Sequence, residues 1–216
     1  MIRFEDVKNS PEINSFIKAG NEVLGELGYT EHGFGHAMKC ATLAGSIVEE
    51  FGGSEREAEL ARIAGYMHDI GNMVNRYDHA QTGAILAIDI LRRMGMASEE
   101  YARIAAAIGN HDEGTGKVVS NISAALILAD KADVHRARVR SLFINDDIHD
   151  RVNYAVTESG LYVENKKIVL KLTIDTEICS VIEYFKIFLN RMYMCQSAAH
   201  YLGTQFSLCI NNTVLM

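Results

Sequence analysis

Six side chains, His36, His68, Asp69, His79, His111 and Asp130, fall where a helix would otherwise bury an aliphatic residue. His36 shares a stripe with Cys40, Leu43 and Ile47, and His68 follows Ala61 and Ala64. His79 leads Leu86 and Ile90, His111 follows Ile104 and Ile108, and Asp130 follows Ile122 and Leu126. Those offsets are helical, so each polar group faces inward with its apolar neighbours. An unpartnered buried polar group costs roughly 2–7 kcal/mol, and a charge costs more. Taken singly, a histidine on an apolar stripe is more often a satisfied core residue than a ligand. Six together need a common partner, and a metal centre supplies one. The helices that carry them must therefore converge on one point.

The first 140 residues read as successive helices. Ser10-Pro11 places an N-cap before proline at the first helical position. Gly52-Gly53 ends the helix of His36, and Ser54 with Glu57 forms a capping box for the helix that reaches His68-Asp69. Asp78 with Gln81 caps the helix opening at His79, and Ser98 starts the one that ends near His111. A further helix is expected from about Val119 to Val139, with Asp130 near its middle. His149-Asp150 follows the acidic Asn145-Asp146-Asp147 and has no apolar stripe, so it reads as solvated surface.

Beyond residue 150 the period shortens to two. Strands are expected near 152–156, 161–164, 167–174 and 205–211, as half-buried antiparallel pairs. Between them, residues 177–202 return to a helix that is apolar or aromatic on more than one face. Such a helix is covered either by the sheet and the helical part or by a second copy in a homodimer. The fold class is thus mainly α: an all-helical domain over residues 1–145, then a small C-terminal α+β segment over 150–216 packed on it.

At 216 residues and 48% apolar composition, the chain can bury one large core or a core with a smaller appendage. A net charge of −7 argues against a nucleic-acid scaffold, which needs a basic face, but leaves room for a basic pocket that takes a phosphorylated small molecule. The sequence has no eighteen-residue apolar run, and its N-terminus is charged too early for a signal peptide. The expectation is a cytoplasmic protein without a membrane span. Cys40, Cys179, Cys195 and Cys209 show no CxxC pair and read as free thiols.

The ordered series of His36, His68-Asp69, His79, His111 and Asp130 resembles the HD superfamily of metal-dependent phosphohydrolases over about residues 30–140. The surrounding words Tyr66-Met67-His68-Asp69-Ile70-Gly71 and Ile127-Leu128-Ala129-Asp130-Lys131-Ala132-Asp133 fit that family as well. The resemblance implies a first metal held by His36, His68, Asp69 and Asp130. It implies a second held by His79 and His111, with Asp69 bridging both through its two oxygens. Imidazole and carboxylate donors suit iron, manganese, zinc or nickel. The implied reaction is hydrolysis of a phosphate ester or anhydride, most naturally of a nucleotide, by a water that the metals activate. Many relatives carry a lysine three residues after the aspartate, where this chain has Asn72. The phosphate contact then passes to Lys131, Arg136 or Arg138 on the expected Asp130 helix, although Arg138 and Arg140 read more simply as a solvated helix end. Two alternatives share the ligand set. One is a di-iron oxygenase of the same fold, and the other a non-catalytic ligand-binding protein that keeps a metal.

Overall fold

Ser10 accepts a hydrogen bond from the Ile13 amide with Pro11 at the first helical position, and Ser54 and Glu57 close a reciprocal capping box. These caps set the helix starts in a computed structural model that describes residues 1–140, 147–164 and 167–216. The helices are α1 (Phe4–Lys8), α2 (Pro11–Glu26), α3 (Phe34–Glu50), α4 (Glu55–Met67), α5 (His79–Arg93), α6 (Ser98–Gly109), α7 (Asn121–Lys131), α8 (Ile148–Ala155) and α9 (Val181–Tyr201). Short 3-10 turns at Ile70–Met73 and Arg136–Arg138 complete the helical part. The strands are β1 (Val156–Glu164), β2 (Lys167–Ile174), β3 (Gln205–Ile210) and β4 (Thr213–Val214).

α7 is the centre of the helical part. Ile122 to Ala129 are all buried, because α3, α4, α6 and α9 pack around it. A helix covered on every side must be apolar on every side, and from Ile122 to Ala129 only Ser123 departs from that. It ends at Lys131, eight residues short of the expected Val139. The chain then turns through Asp133, whose amide donates to the Asp130 carbonyl, and this turn carries the Asp133 carboxylate back to α3. Arg136 and Arg138 therefore do not share a helix with Asp130.

The tail departs from expectation in two ways. Residues 152–156 do not form a strand: all but Val156 lie in α8, where Val152 and Ala155 are buried at helical spacing and Asp147 caps the start. Five residues with apolar positions at 152, 155 and 156 fit either period, and the Asp147 cap decides for the helix. The second departure is the sheet, which runs in the order β1-β2-β3-β4 and is mixed. β1 and β2 are antiparallel, as are β3 and β4, but β2 and β3 run parallel. The chain between β2 and β3 is occupied by α9, and a helical crossover returns the next strand in the same direction.

α9 begins at Val181 behind a Ser180–Glu183 capping box, later than the expected residue 177. It packs on α7 and β3 and buries Tyr184, Phe188, Met192 and Cys195. Ile182, Leu189 and Tyr193 face outward. The expected domain boundary near residue 145 lies outside the described residues. Among the described residues, no helix is long and apolar enough to cross a membrane.

Candidate metal centre

The six polar residues meet. His36 sits in the first turn of α3, His68 at the C-terminus of α4, and His79 at the first position of α5. His111 follows the end of α6, Asp130 lies in the last turn of α7, and Asp69 precedes the 3-10 turn. Two glycines permit the approach. A Cβ on Gly65 would lie 2.8 Å from backbone atoms of Ala41, so α3 and α4 touch backbone to backbone. A Cβ on Gly71 would lie 2.0 Å from the His79 carbonyl oxygen, where the 3-10 turn meets α5.

All four imidazoles are oriented the same way. The Nδ1 of His36 donates to Asp133 Oδ2 at 2.7 Å, and that of His68 to the Gly65 carbonyl at 2.8 Å. His79 Nδ1 donates to the Arg76 carbonyl at 3.0 Å and His111 Nδ1 to the Ile108 carbonyl at 2.6 Å. An oxygen acceptor opposite each Nδ1 puts the proton there and leaves the Nε2 lone pair free, the arrangement that hydrogen-bond partners behind the ring impose on ligating histidines.

Those Nε2 atoms converge in two pairs. His36 Nε2 and His68 Nε2 are 3.2 Å apart, with Asp69 Oδ2 at 3.7 and 3.4 Å and Asp130 Oδ1 at 3.4 and 3.7 Å. The second pair, His79 Nε2 and His111 Nε2, is also separated by 3.2 Å, with Asp69 Oδ1 at 3.5 and 3.9 Å. The two oxygens of Asp69 thus face two different donor sets. Asn72, which replaces the lysine of many relatives, donates from Nδ2 to Asp69 Oδ1 at 2.8 Å and fixes that carboxylate.

The donors fit a cation. Two lone-pair nitrogens 3.2 Å apart repel unless something positive lies between them, and about 3.2 Å is the separation of two neighbouring ligands each roughly 2.0–2.1 Å from one ion. Asp69 Oδ2 is buried and has no hydrogen-bond donor among the described residues. The electrostatics of the donor set agree. Burial lowers His68, but the neighbouring carboxylates of Asp69 and Asp130 outweigh it and push the imidazole up to about 10. Burial raises Asp69 and Asp130, yet neighbouring cations hold both well below the usual carboxylate range, His68 foremost for Asp69 and Lys131 for Asp130. Burial drives His111 well below its ordinary value, so it stays neutral and able to ligate.

Cys40 lies within reach of His36, His68 and Asp130. Burial, reinforced by Asp130, pushes its thiol well above the ordinary range. A protonated thiol is a poor ligand. The four cysteines are all free, three of them buried.

Several outer residues escaped the sequence reading. Asp133 orients His36 and also pairs with Lys39 at 2.5 Å. Arg76 sends Nη1 to His79 Nε2 at 3.0 Å, so a guanidinium N–H now takes a lone pair of the second donor set. Lys131, expected as a phosphate contact, lines the space at the cluster. It is buried, and its Nζ pairs with Asp130 Oδ2 at 2.7 Å and Glu113 Oε2 at 2.6 Å. Arg138 is likewise buried, donating to the carbonyls of Glu31 and Asp133, whereas Arg140 is exposed and pinned to the Asn21 and Tyr29 carbonyls. Asp150, expected on the surface, is buried beside the site, and His149 stays exposed.

The HD-domain family model matches residues 33–138, the stretch that carries all six residues. The chain is 32% identical over 163 residues to "Uncharacterized protein MJ1020" of Methanocaldococcus jannaschii, covering 65% of this chain and 62% of that protein. It is 29% identical over 124 residues to "Ribonuclease Y" of Oceanobacillus iheyensis, covering 56% of this chain and 22% of the relative. In both cases the match spans less than two thirds of the relative's length. The crystal structure of a "predicted HD superfamily hydrolase" from an uncultured Thermotogales bacterium aligns with a TM-score of 0.45 and 24% identity, covering 57% of this chain and 67% of that one.

Proposed function

Residues 33–138 are an HD domain, and from that premise we propose that the chain is a metal-dependent phosphohydrolase acting on a small phosphorylated molecule, most naturally a nucleotide. The observation that carries this is the division of Asp69, whose Oδ2 faces His36, His68 and Asp130 while its Oδ1 faces His79 and His111. His36, His68, Asp69 and Asp130 would hold one transition-metal ion, and His79, His111 and Asp69 a second. When bound, such ions polarise a phosphoryl oxygen and lower the pKa of a water to near neutrality.

The protein's own part is orientation. Carbonyl or carboxylate acceptors fix all four imidazole rings, Asn72 fixes Asp69, and Lys131 holds Asp130 so that Oδ1 turns to the histidines. Arg76 would have to release His79 Nε2 before that nitrogen could take a metal. Without a second ion, the His79–His111 pair with Arg76 would instead face the phosphate. The acidic balance of the chain supports a small substrate over a nucleic-acid polymer, since polyanion binding rests on clustered basic surface.

The test is elemental analysis of freshly purified protein, then a phosphate-release screen over nucleotides with iron, manganese, zinc and nickel in turn. Phosphate release that depends on one of these metals is the expected result. Metal-replete protein that releases no phosphate but consumes dioxygen with an organic substrate would transfer the site to oxygenase chemistry.

A further inference from the structure

The metal centre does not end at its ligands. His32, Arg76, Arg138 and Arg191 line both the space at the cluster and an adjoining cavity of about 400 Å³. That volume lies within the range of roughly 300–1,000 Å³ usual for small-molecule sites. Three of the four shared residues are arginines, so any ligand reaching the cluster from the cavity passes between guanidinium groups. Part of the cavity wall comes from outside the HD domain: α8 contributes Asp150 and Asn153, and α9 contributes Phe188 and Arg191.

Two of these arginines are built to hold an anion. Arg138 spends Nε on the Glu31 carbonyl at 2.9 Å and Nη1 on the Asp133 carbonyl, but its Nη2 is buried and has no hydrogen-bond acceptor among the described residues. A buried donor without a partner costs about 1–3 kcal/mol, and more for a charged group, which an anionic ligand would recover. Arg191 is fixed at its root, with Nε on Glu113 Oε1 at 2.8 Å and its guanidinium 4.5 Å from the centre of the Phe188 ring. Lys131 shares the same Glu113 at 2.6 Å, so two cations face one carboxylate.

We propose that Arg191, supplied by α9 from outside the HD domain, and Arg138 clamp the terminal phosphate of a small phosphomonoester whose remaining part fills the cavity. A monoester approaches two negative charges near neutral pH, because its second pKa is about 6, whereas a diester carries one. Paired guanidinium forks discriminate in favour of the former. A polymer would have to thread a cavity walled by α8 and α9 in a chain of net charge −7. The identity of the ligand as a substrate rests on the proposed phosphohydrolase activity; the clamp itself does not.

Calorimetric titration of inorganic phosphate into metal-replete wild type, Arg191→Ala and Arg191→Lys separates the two, with the metal content of each protein measured alongside. Wild type should bind phosphate, Arg191→Ala should weaken it tenfold or more at unchanged metal content, and Arg191→Lys should fall between, since an ammonium lacks the fork. In turnover, Arg191→Ala should raise KM for a monoester more than for a dinucleotide. Equal phosphate affinity in wild type and Arg191→Ala, or no phosphate binding by wild type, overturns the clamp. If Arg191→Ala loses its metal or its fold, Arg191→Lys decides, and wild-type phosphate affinity in that variant is the contrary result. Should phosphate binding follow Arg191 while no ester is hydrolysed, the clamp stands and the phosphohydrolase activity falls.

Discussion

Replacing Asp133 by alanine removes a group that belongs to neither donor set, yet it should weaken metal binding. Its Oδ2 accepts from His36 Nδ1 at 2.7 Å and is the only acceptor on that nitrogen among the described residues apart from the weak contact of Cys40 Sγ at 3.7 Å. Losing it frees the ring to rotate, allows the wrong tautomer and lowers the basicity of Nε2. Outer partners of this kind are worth about 10–100-fold in metal affinity, or roughly 1.4–2.8 kcal/mol at 1.4 kcal/mol per decade. Asp133→Asn keeps an acceptor for Nδ1 and loses only the charge, so its loss should be smaller than that of alanine. Burial raises the Asp133 carboxyl, but the His36 hydrogen bond, then Arg138, and Lys39 hold it well below the ordinary value. The sign follows: a depressed folded pKa gives stability that is full above the unfolded value near 3.9 and is lost as pH falls towards the folded one. Wild type should therefore lose part of its stability below about pH 4, and Asp133→Asn should show a shallower acid loss. Competition titration with a metallochromic chelator measures the affinities, and chemical denaturation across pH measures the stability. Affinity within twofold of wild type in a correctly folded Asp133→Ala would refute the orienting role.

Other perturbations reach the site from different directions. Gly65→Ala sets a methyl 2.8 Å from the Ala41 backbone, so α3 and α4 must separate. Overpacking of this kind costs about 1–3 kcal/mol, and a urea midpoint should fall together with metal affinity because His36 and His68 ride on those helices. Arg76→Ala should free His79 Nε2 and tighten binding of a second ion, raising the stoichiometry in a metal titration; an unchanged titration would deny that Arg76 competes there. Lys131→Met strips the charge that holds Asp130 and Glu113, so metal content and stability should both drop. A rise in KM alone, with metal content intact, would instead make Lys131 a substrate contact.

The six convergent residues were legible because helical spacing is local. His36 can be placed beside Cys40 and Ile47 with no knowledge of the rest of the chain, and a polar group on that stripe marks itself. Their outer partners left no such mark. Asp133 meets His36 across 97 positions, and Arg191 meets Glu113 across 78. No periodicity encodes a contact between two side chains that are each ordinary in their own neighbourhood. Asn72 is the nearest to an exception, since its place three residues after Asp69 singled it out without saying that it would bind that carboxylate. In the tail, the alternation of Ile168, Leu170, Leu172 and Ile174 predicts the buried face of β2. Alternation is the same in parallel and antiparallel sheets, so the direction of β3 was hidden from it. The clue was α9, long enough to serve as a crossover helix.

The central claim is that this HD domain holds metal through the residues gathered on Asp69. Elemental analysis of wild type and Asp69→Ala, purified in parallel and dialysed against metal-free buffer, tests it most directly. Because Asp69 faces both donor sets, the single substitution should strip the protein of transition metal while its helical circular dichroism persists. Metal content in Asp69→Ala equal to wild type, or wild type that takes up no iron, manganese, zinc or nickel at saturating concentration, would contradict it.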